Sequence, residues 1–125
     1  MSAEVLLEID DLVVSFFTRR AKAEAVRGVS LAVYKGETLG LVGESGSGKS
    51  VTMQAAMALI DAPGLIERGA IRWRGQPLTR RDPGKVRGRD LSIVFQDAMT
   101  SLNPLMSIGA QIDEVLKLRD DLPRA

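Results

Sequence analysis

The sequence predicts an α/β fold with an antiparallel β portion toward its N-terminal side, and three observations predict it. Aliphatic residues recur in short alternating runs over the first part of the chain. Residues 38–42 (TLGLV) then form a nearly continuous apolar stretch, the pattern of a strand buried on both faces. That stretch runs directly into glycine-rich sequence and on into good helix formers.

Taken in order, residues 5–14 are rich in aliphatic side chains, Val29, Leu31 and Val33 share one strand face, and Lys35-Gly36 offers a turn between strands. Residues 38–42 are expected as a central parallel strand. Residues 50–60 are expected as a helix, stopped by Asp61-Ala62-Pro63-Gly64. Ile71 and Trp73 alternate with Arg72 and Arg74, which predicts a half-exposed strand returning to the antiparallel part. The polar stretch 80–90 reads as a loop and residues 91–95 as a second short apolar strand. A helix is expected over 108–119, with Ile108, Ile112, Val115 and Arg119 along one side. Neither a repeat nor a linker divides the chain, so a single domain over 1–125 is expected.

Composition excludes several chemistries. The chain has 125 residues, 45% of them hydrophobic, which suits one packed domain. It has no cysteine and no histidine, so disulfides, thiolate metal sites and the commonest general base are all missing. With 17 Lys and Arg against 16 Asp and Glu, the overall charge gives no reason to expect nucleic-acid binding. Arg80, Arg81, Lys85, Arg87 and Arg89 are diluted by Asp82 and Asp90 and read as a solvated loop. The N-terminus lacks the positive start and long apolar run of a secretory signal, and no apolar run reaches membrane-spanning length. A cytoplasmic protein is expected, with any spanning helices supplied by a partner.

The chemistry lies in residues 43–50, GESGSGKS, which match glycine, four residues, glycine, lysine and serine or threonine. Gly43, Gly46 and Gly48 leave room for backbone N–H groups to converge on phosphate oxygens, with Glu44, Ser45 and Ser47 contributing their amides. The helix that follows adds the unpaired N–H groups of its first turn, through Val51, and the positive end of its dipole. Lys49 reaches the β and γ phosphates, and the Ser50 hydroxyl ligates magnesium. ATP and Mg2+ are therefore the expected ligands. The glycines do not follow the GxGxxG spacing of a dinucleotide site.

Two further segments, VSF at 14–16 and IVFQDAMTSLNP at 93–104, together with RGVSLAVYKGETLGLVGESGSGKS, resemble the ATP-binding subunits of ABC transporters. Within that family they resemble the branch serving oligopeptide, dipeptide and nickel importers. The resemblance runs from about Val5 to Ile112. Ala98 stands where the branch pattern FQDPMTSLNP has proline, which loosens the loop but removes no ligand.

The resemblance implies the core of a P-loop ABC ATPase, here incomplete, preceded by an antiparallel β subdomain. It implies that Phe16 stacks on adenine and that Gln96 touches magnesium and the attacking water. Phe17 is the alternative stacking residue, because adjacent strand residues face opposite ways; core packing is the plain alternative for both. Asp97 competes as a magnesium ligand, but Gln96 intervenes after the apolar run and turns Asp97 to the other face. The segment after Gln96, with Met99, Leu102, Leu105 and Met106, is implied to meet a membrane-spanning permease, the whole resting on the cytoplasmic face of the membrane. A second ATP-binding subunit is implied as well.

The signature segment LSGGQ, the second acidic strand and the switch histidine of the family are not in these residues. Nucleotide binding without appreciable turnover is expected of the chain by itself, with marginal stability from exposed strand edges. Two other readings compete: a soluble ATPase of the same class acting on nucleic acid or ribosomes, and a truncated remnant without catalysis.

Overall fold

A computed structural model describes residues 2–78 and 86–117. They fall into two compact units, Met1–Pro83 and Gly84–Ala125.

The first unit is built on an antiparallel sheet. Strand β1 covers Val5–Phe17, β2 Lys22–Tyr34, β3 Gly64–Trp73 and β4 Gln76–Pro77, in the order β2-β1-β3-β4. Helix α1, Lys49–Ala56, packs Ala55 and Ala56 onto one face of this sheet, against Ile9, Leu12, Val14, Val26, Ile60 and Ile71. Val29 and Leu31 line the same face, as their alternation predicts.

The central strand does not alternate evenly. Leu7 and Ile9 face the core before Asp11, and Leu12, Val14 and Phe16 face it afterwards. Asp11 adopts φ 47, and both of β1's ladders slip there, between Ile9 and Leu12 toward β2 and between Asp10 and Val13 toward β3. This is a β-bulge: one extra residue reverses the inward parity of everything beyond it.

Helix α1 is shorter than the predicted 50–60. Ala58 takes φ 53, its N–H donates to the Ala55 carbonyl at 2.9 Å, and the Leu59 N–H donates to the Gln54 carbonyl at 2.8 Å. These two bonds are the Schellman closure of a helix end, made here with alanine in the left-handed position that glycine usually holds. The expected stop at Asp61 to Gly64 therefore comes later than the real one, and β3 already begins at Gly64.

The central parallel strand expected at residues 38–42 is not formed, and the sheet is antiparallel throughout the described residues. A strand apolar on both faces persists only between neighbours that accept its hydrogen bonds and cover it. None is present among the described residues, and Val42 is 91% exposed.

The second unit shows the same effect. Residues 91–95 form no strand beyond an isolated parallel bridge of Leu91 to Arg87, and Val94 is 96% exposed. Helix α2, Ile108–Lys117, forms as predicted, capped by the Ser107 hydroxyl, which accepts from the Ala110 N–H at 3.2 Å. Its Ile108, Ile112 and Val115 are exposed; Arg119 lies outside the described residues. Of the polar stretch 80–90, residues 86–90 turn and the rest lies outside the described residues.

Candidate functional site

The glycine-rich loop leads into α1, and its shape follows from three close approaches. Gly48 caps the helix with φ 93, and a Cβ there would collide with the carbonyl oxygen of Ala25 in β2. Ala25 is the residue that the β1–β2 ladder skips between Val26 and Glu24. The sheet thus bulges where the loop seats on it. Gly43 lies against Ser47, where a Cβ would stand 2.5 Å from Oγ, and Gly46 turns the chain with φ 78. The Ser47 N–H donates to the Glu44 carbonyl at 3.1 Å, closing the turn through Ser45 and Gly46.

Lys49 folds back over this turn. Its Nζ donates to the carbonyl oxygens of Gly43 at 2.6 Å and Glu44 at 2.7 Å, and to Ser47 Oγ at 3.1 Å. A full positive charge is thereby held within the loop by its own backbone. The first turn of α1 carries no acidic residue and no side-chain cap, so the N–H groups of Lys49, Ser50 and Val51 have no intrahelical acceptor. The Ser50 side chain is exposed and makes no hydrogen bond among the described residues.

Space that a Cβ would close, helix amides without acceptors, a fixed cation and a free hydroxyl fit a polyphosphate with its magnesium. Among the described residues no group of three or more His, Asp and Glu side chains gathers to hold a metal by itself. A cation here would depend on the ligand's own oxygens together with Ser50.

Phe16 shares the sheet face that carries α1, since it packs on the core cluster that includes Ala55 and Ala56. Its ring edge abuts Gly64, where a Cβ would lie 2.9 Å from Phe16 Cε1. Phe17, the next residue of β1, points to the other face, is 40% exposed, and has Lys22 Nζ 5.7 Å from its ring centroid. Phe16 therefore combines core packing with a position on the helix side of the sheet.

Gln96 belongs to the second unit, where it is exposed and its side chain makes no hydrogen bond among the described residues. Asp97 closes a local turn instead: its carboxylate accepts from the Met99 N–H at 3.1 Å, and its carbonyl accepts the Ser101 hydroxyl at 3.0 Å. Beyond it, Gln111 reaches back to the chain at Asn103 and Met106. Its Oε1 accepts from the Asn103 N–H at 2.9 Å, and its Nε2 donates to both carbonyls at 3.0 Å. The segment so held exposes Met99, Leu102, Leu105 and Met106.

Sequence reasoning missed two groupings in the first unit. Asp11 accepts both Nε and Nη2 of Arg68, at 2.6 and 2.9 Å, and the guanidinium holds its carboxyl below the usual aspartate range. On the face away from α1, buried Ser15 donates to Glu67 at 2.5 Å and Lys22 pairs with the same carboxylate at 2.8 Å. Lys22 first, and Ser15 second, lower the Glu67 carboxyl below the usual glutamate range. The available signal for the first was the adjacent pair Asp10-Asp11 in the middle of an aliphatic-rich strand.

A family model described as ABC transporter matches residues 26–122. The chain is 52% identical over 115 residues to the oligopeptide transport ATP-binding protein OppD of Bacillus subtilis, which covers 89% of this chain and 32% of that protein. It is 44% identical over 117 residues to the dipeptide transport ATP-binding protein DppD of the same organism, covering 90% and 35%. To OppD of Escherichia coli it is 43% identical over 126 residues, covering 98% and 37%. The chain spans about a third of the length of these curated relatives.

Proposed function

Because the chain belongs to the ABC transporter family, we propose that it binds ATP with magnesium on residues 43–50, as part of an ATP-binding subunit of an oligopeptide or dipeptide importer. The observation that carries this reading is the loop itself, with Lys49 held against Gly43 and Glu44 and the first amides of α1 without a side-chain cap. The amides of Gly43, Glu44, Ser45, Gly46 and Gly48 surround the phosphates, with those of Lys49, Ser50 and Val51 at the helix start, while the Ser47 N–H closes the turn on the Glu44 carbonyl. Lys49 neutralises the β and γ phosphates, and Ser50 ligates magnesium.

In the same reading Phe16 stacks on adenine from the helix side of the sheet, and Gln96 bridges magnesium and the attacking water. Both compact units belong to one nucleotide-binding domain. The exposed segment with Met99, Leu102, Leu105 and Met106 receives a membrane-spanning permease, and a second ATP-binding subunit completes each nucleotide site. Among the described residues no helix is long and apolar enough to cross a membrane. The proposed place of work is the cytoplasmic face of the membrane, with the spanning part supplied by the permease. Binding is the activity proposed for this chain, and hydrolysis for the whole assembly.

The test is calorimetric titration of the chain with MgATP, compared with Lys49→Met. Saturable binding that weakens at least about tenfold on substitution supports the reading. Equal affinity in the two proteins overturns it.

A further inference from the structure

Both ladders of the central strand skip Asp11, and an ion pair closes across that place. Asp11 stands in the left-handed region with φ 47. Arg68 of β3 grips its carboxylate with Nε and Nη2, and the Asp11 N–H donates to Ser30 Oγ of β2 at 2.9 Å. The extra residue is thus tied to both neighbouring strands. Opposite it, Gly69 permits the approach: a Cβ there would stand 2.6 Å from the Asp11 carbonyl oxygen and 2.6 Å from Leu12 Cα.

The position of the extra residue decides which aromatic ring faces α1. With the bulge at Asp11, residues 12, 14 and 16 point to the core face, and Phe16 lies on the side of the helix. If the extra residue slipped along β1 past residue 17, residues 11, 13, 15 and 17 would turn inward, presenting Phe17 there and burying Ser15 among aliphatic groups. The loop is seated on the same stretch of sheet, since Gly48 rests on Ala25, which the ladder places between the partners of Val14 and Ser15. The bulge is therefore upstream of both contacts a nucleotide would make with this unit.

We propose that the Asp11–Arg68 pair is a positioning element for the adenine-stacking residue, pinning the β1 bulge so that Phe16 rather than Phe17 lies on the α1 side of the sheet. The proposal rests on the nucleotide-binding reading above. It separates two properties of the site: the loop and Lys49 set affinity for phosphate, and the Asp11 bulge sets the added affinity for the base. Both side chains of the pair are largely exposed, so the pair contributes little to global stability and its effect is felt locally.

The experiment is titration of the 125-residue chain with MgATP and, separately, with magnesium tripolyphosphate, which has the phosphates and no base. Asp11→Ala and Arg68→Met are expected to weaken MgATP about tenfold, the scale of one lost base-stacking contact, while tripolyphosphate changes less than about twofold. Asp11→Asn keeps tolerance of the left-handed backbone and an acceptor for Arg68, and is expected to restore MgATP to within about threefold of the original chain. Circular dichroism identifies any variant that fails to fold, and Arg68→Met, which leaves the Asp11 backbone untouched, then carries the comparison. Equal losses for the two ligands, or no loss for either, overturn the positioning role while leaving the phosphate loop standing. An original chain that binds neither ligand overturns the nucleotide reading and this proposal together.

Discussion

Lys49 Nζ lies 2.6 Å from the carbonyl oxygen of Gly43, and the loop between them is closed tightly enough that a methyl group on Gly43 would meet Ser47 Oγ at 2.5 Å. Gly43→Ala is therefore expected to open the turn and weaken MgATP binding by about tenfold. Adding Ser47→Ala removes the obstructing oxygen and leaves a contact at 3.3 Å to Cβ, so the double variant recovers part of the loss. A thermodynamic cycle of the two substitutions, read by calorimetry, measures that coupling; strictly additive effects would contradict the steric account.

Gly48 and Gly36 make a controlled pair. Both hold positive φ, 93 and 78, but an added Cβ meets the Ala25 carbonyl at Gly48 and nothing within 4 Å at Gly36. Gly36→Ala carries only the backbone strain, about 1 kcal/mol, and Gly48→Ala carries that strain plus displacement of the loop from β2. Urea denaturation is expected to give the larger loss for Gly48→Ala. Indistinguishable midpoints would show that the loop is not seated on Ala25.

Ala58 ends α1 in the left-handed conformation with φ 53. Removing its Cβ relieves the clash that disfavours this conformation, so Ala58→Gly is expected to raise stability by about 0.5–1 kcal/mol despite the added freedom of the unfolded chain. Replacement at Ala55, which is buried within the same helix, has the opposite sign, because glycine there loses packing and helix propensity. Thermal or urea midpoints of the two variants decide the matter.

The Glu67 carboxyl is held below its ordinary range by Lys22 and Ser15. A depressed folded-state pKa contributes stability that is fully present above the unfolded value and is lost as pH falls through the folded one. Stability is thus expected to hold from neutrality down to roughly pH 5 and to decline progressively below about pH 4. Glu67→Gln removes part of this dependence, so its urea midpoint should fall less between pH 6 and pH 3 than that of the original chain. An unchanged slope would show that the Ser15–Glu67–Lys22 contact does not persist in solution.

What the sequence determined by itself was local. The order of loop and helix at residues 43–56, the antiparallel strands around Val29 and Leu31, and α2 from Ile108 follow from glycine placement, alternation and helix periodicity within a few residues. The family was legible for the same reason, because its motifs are short contiguous strings. The end of α1 was not, since its Schellman closure uses alanine at position 58, where no glycine marks it.

Tertiary structure decided the rest. Whether Phe16 or Phe17 faces the helix depends on one residue of register, set at Asp11 by partners in β2 and β3 that are far away in sequence. Residues 38–42 and 91–95 have the composition of inner strands, yet without neighbouring strands among the described residues they form none, beyond the single bridge of Leu91 to Arg87. A helix satisfies its hydrogen bonds within its own segment, whereas a strand depends on chain elsewhere to complete it. Local pattern therefore foretold α2 and the glycine-rich loop leading into α1, and could not foretell the faces or the pairing of the sheet.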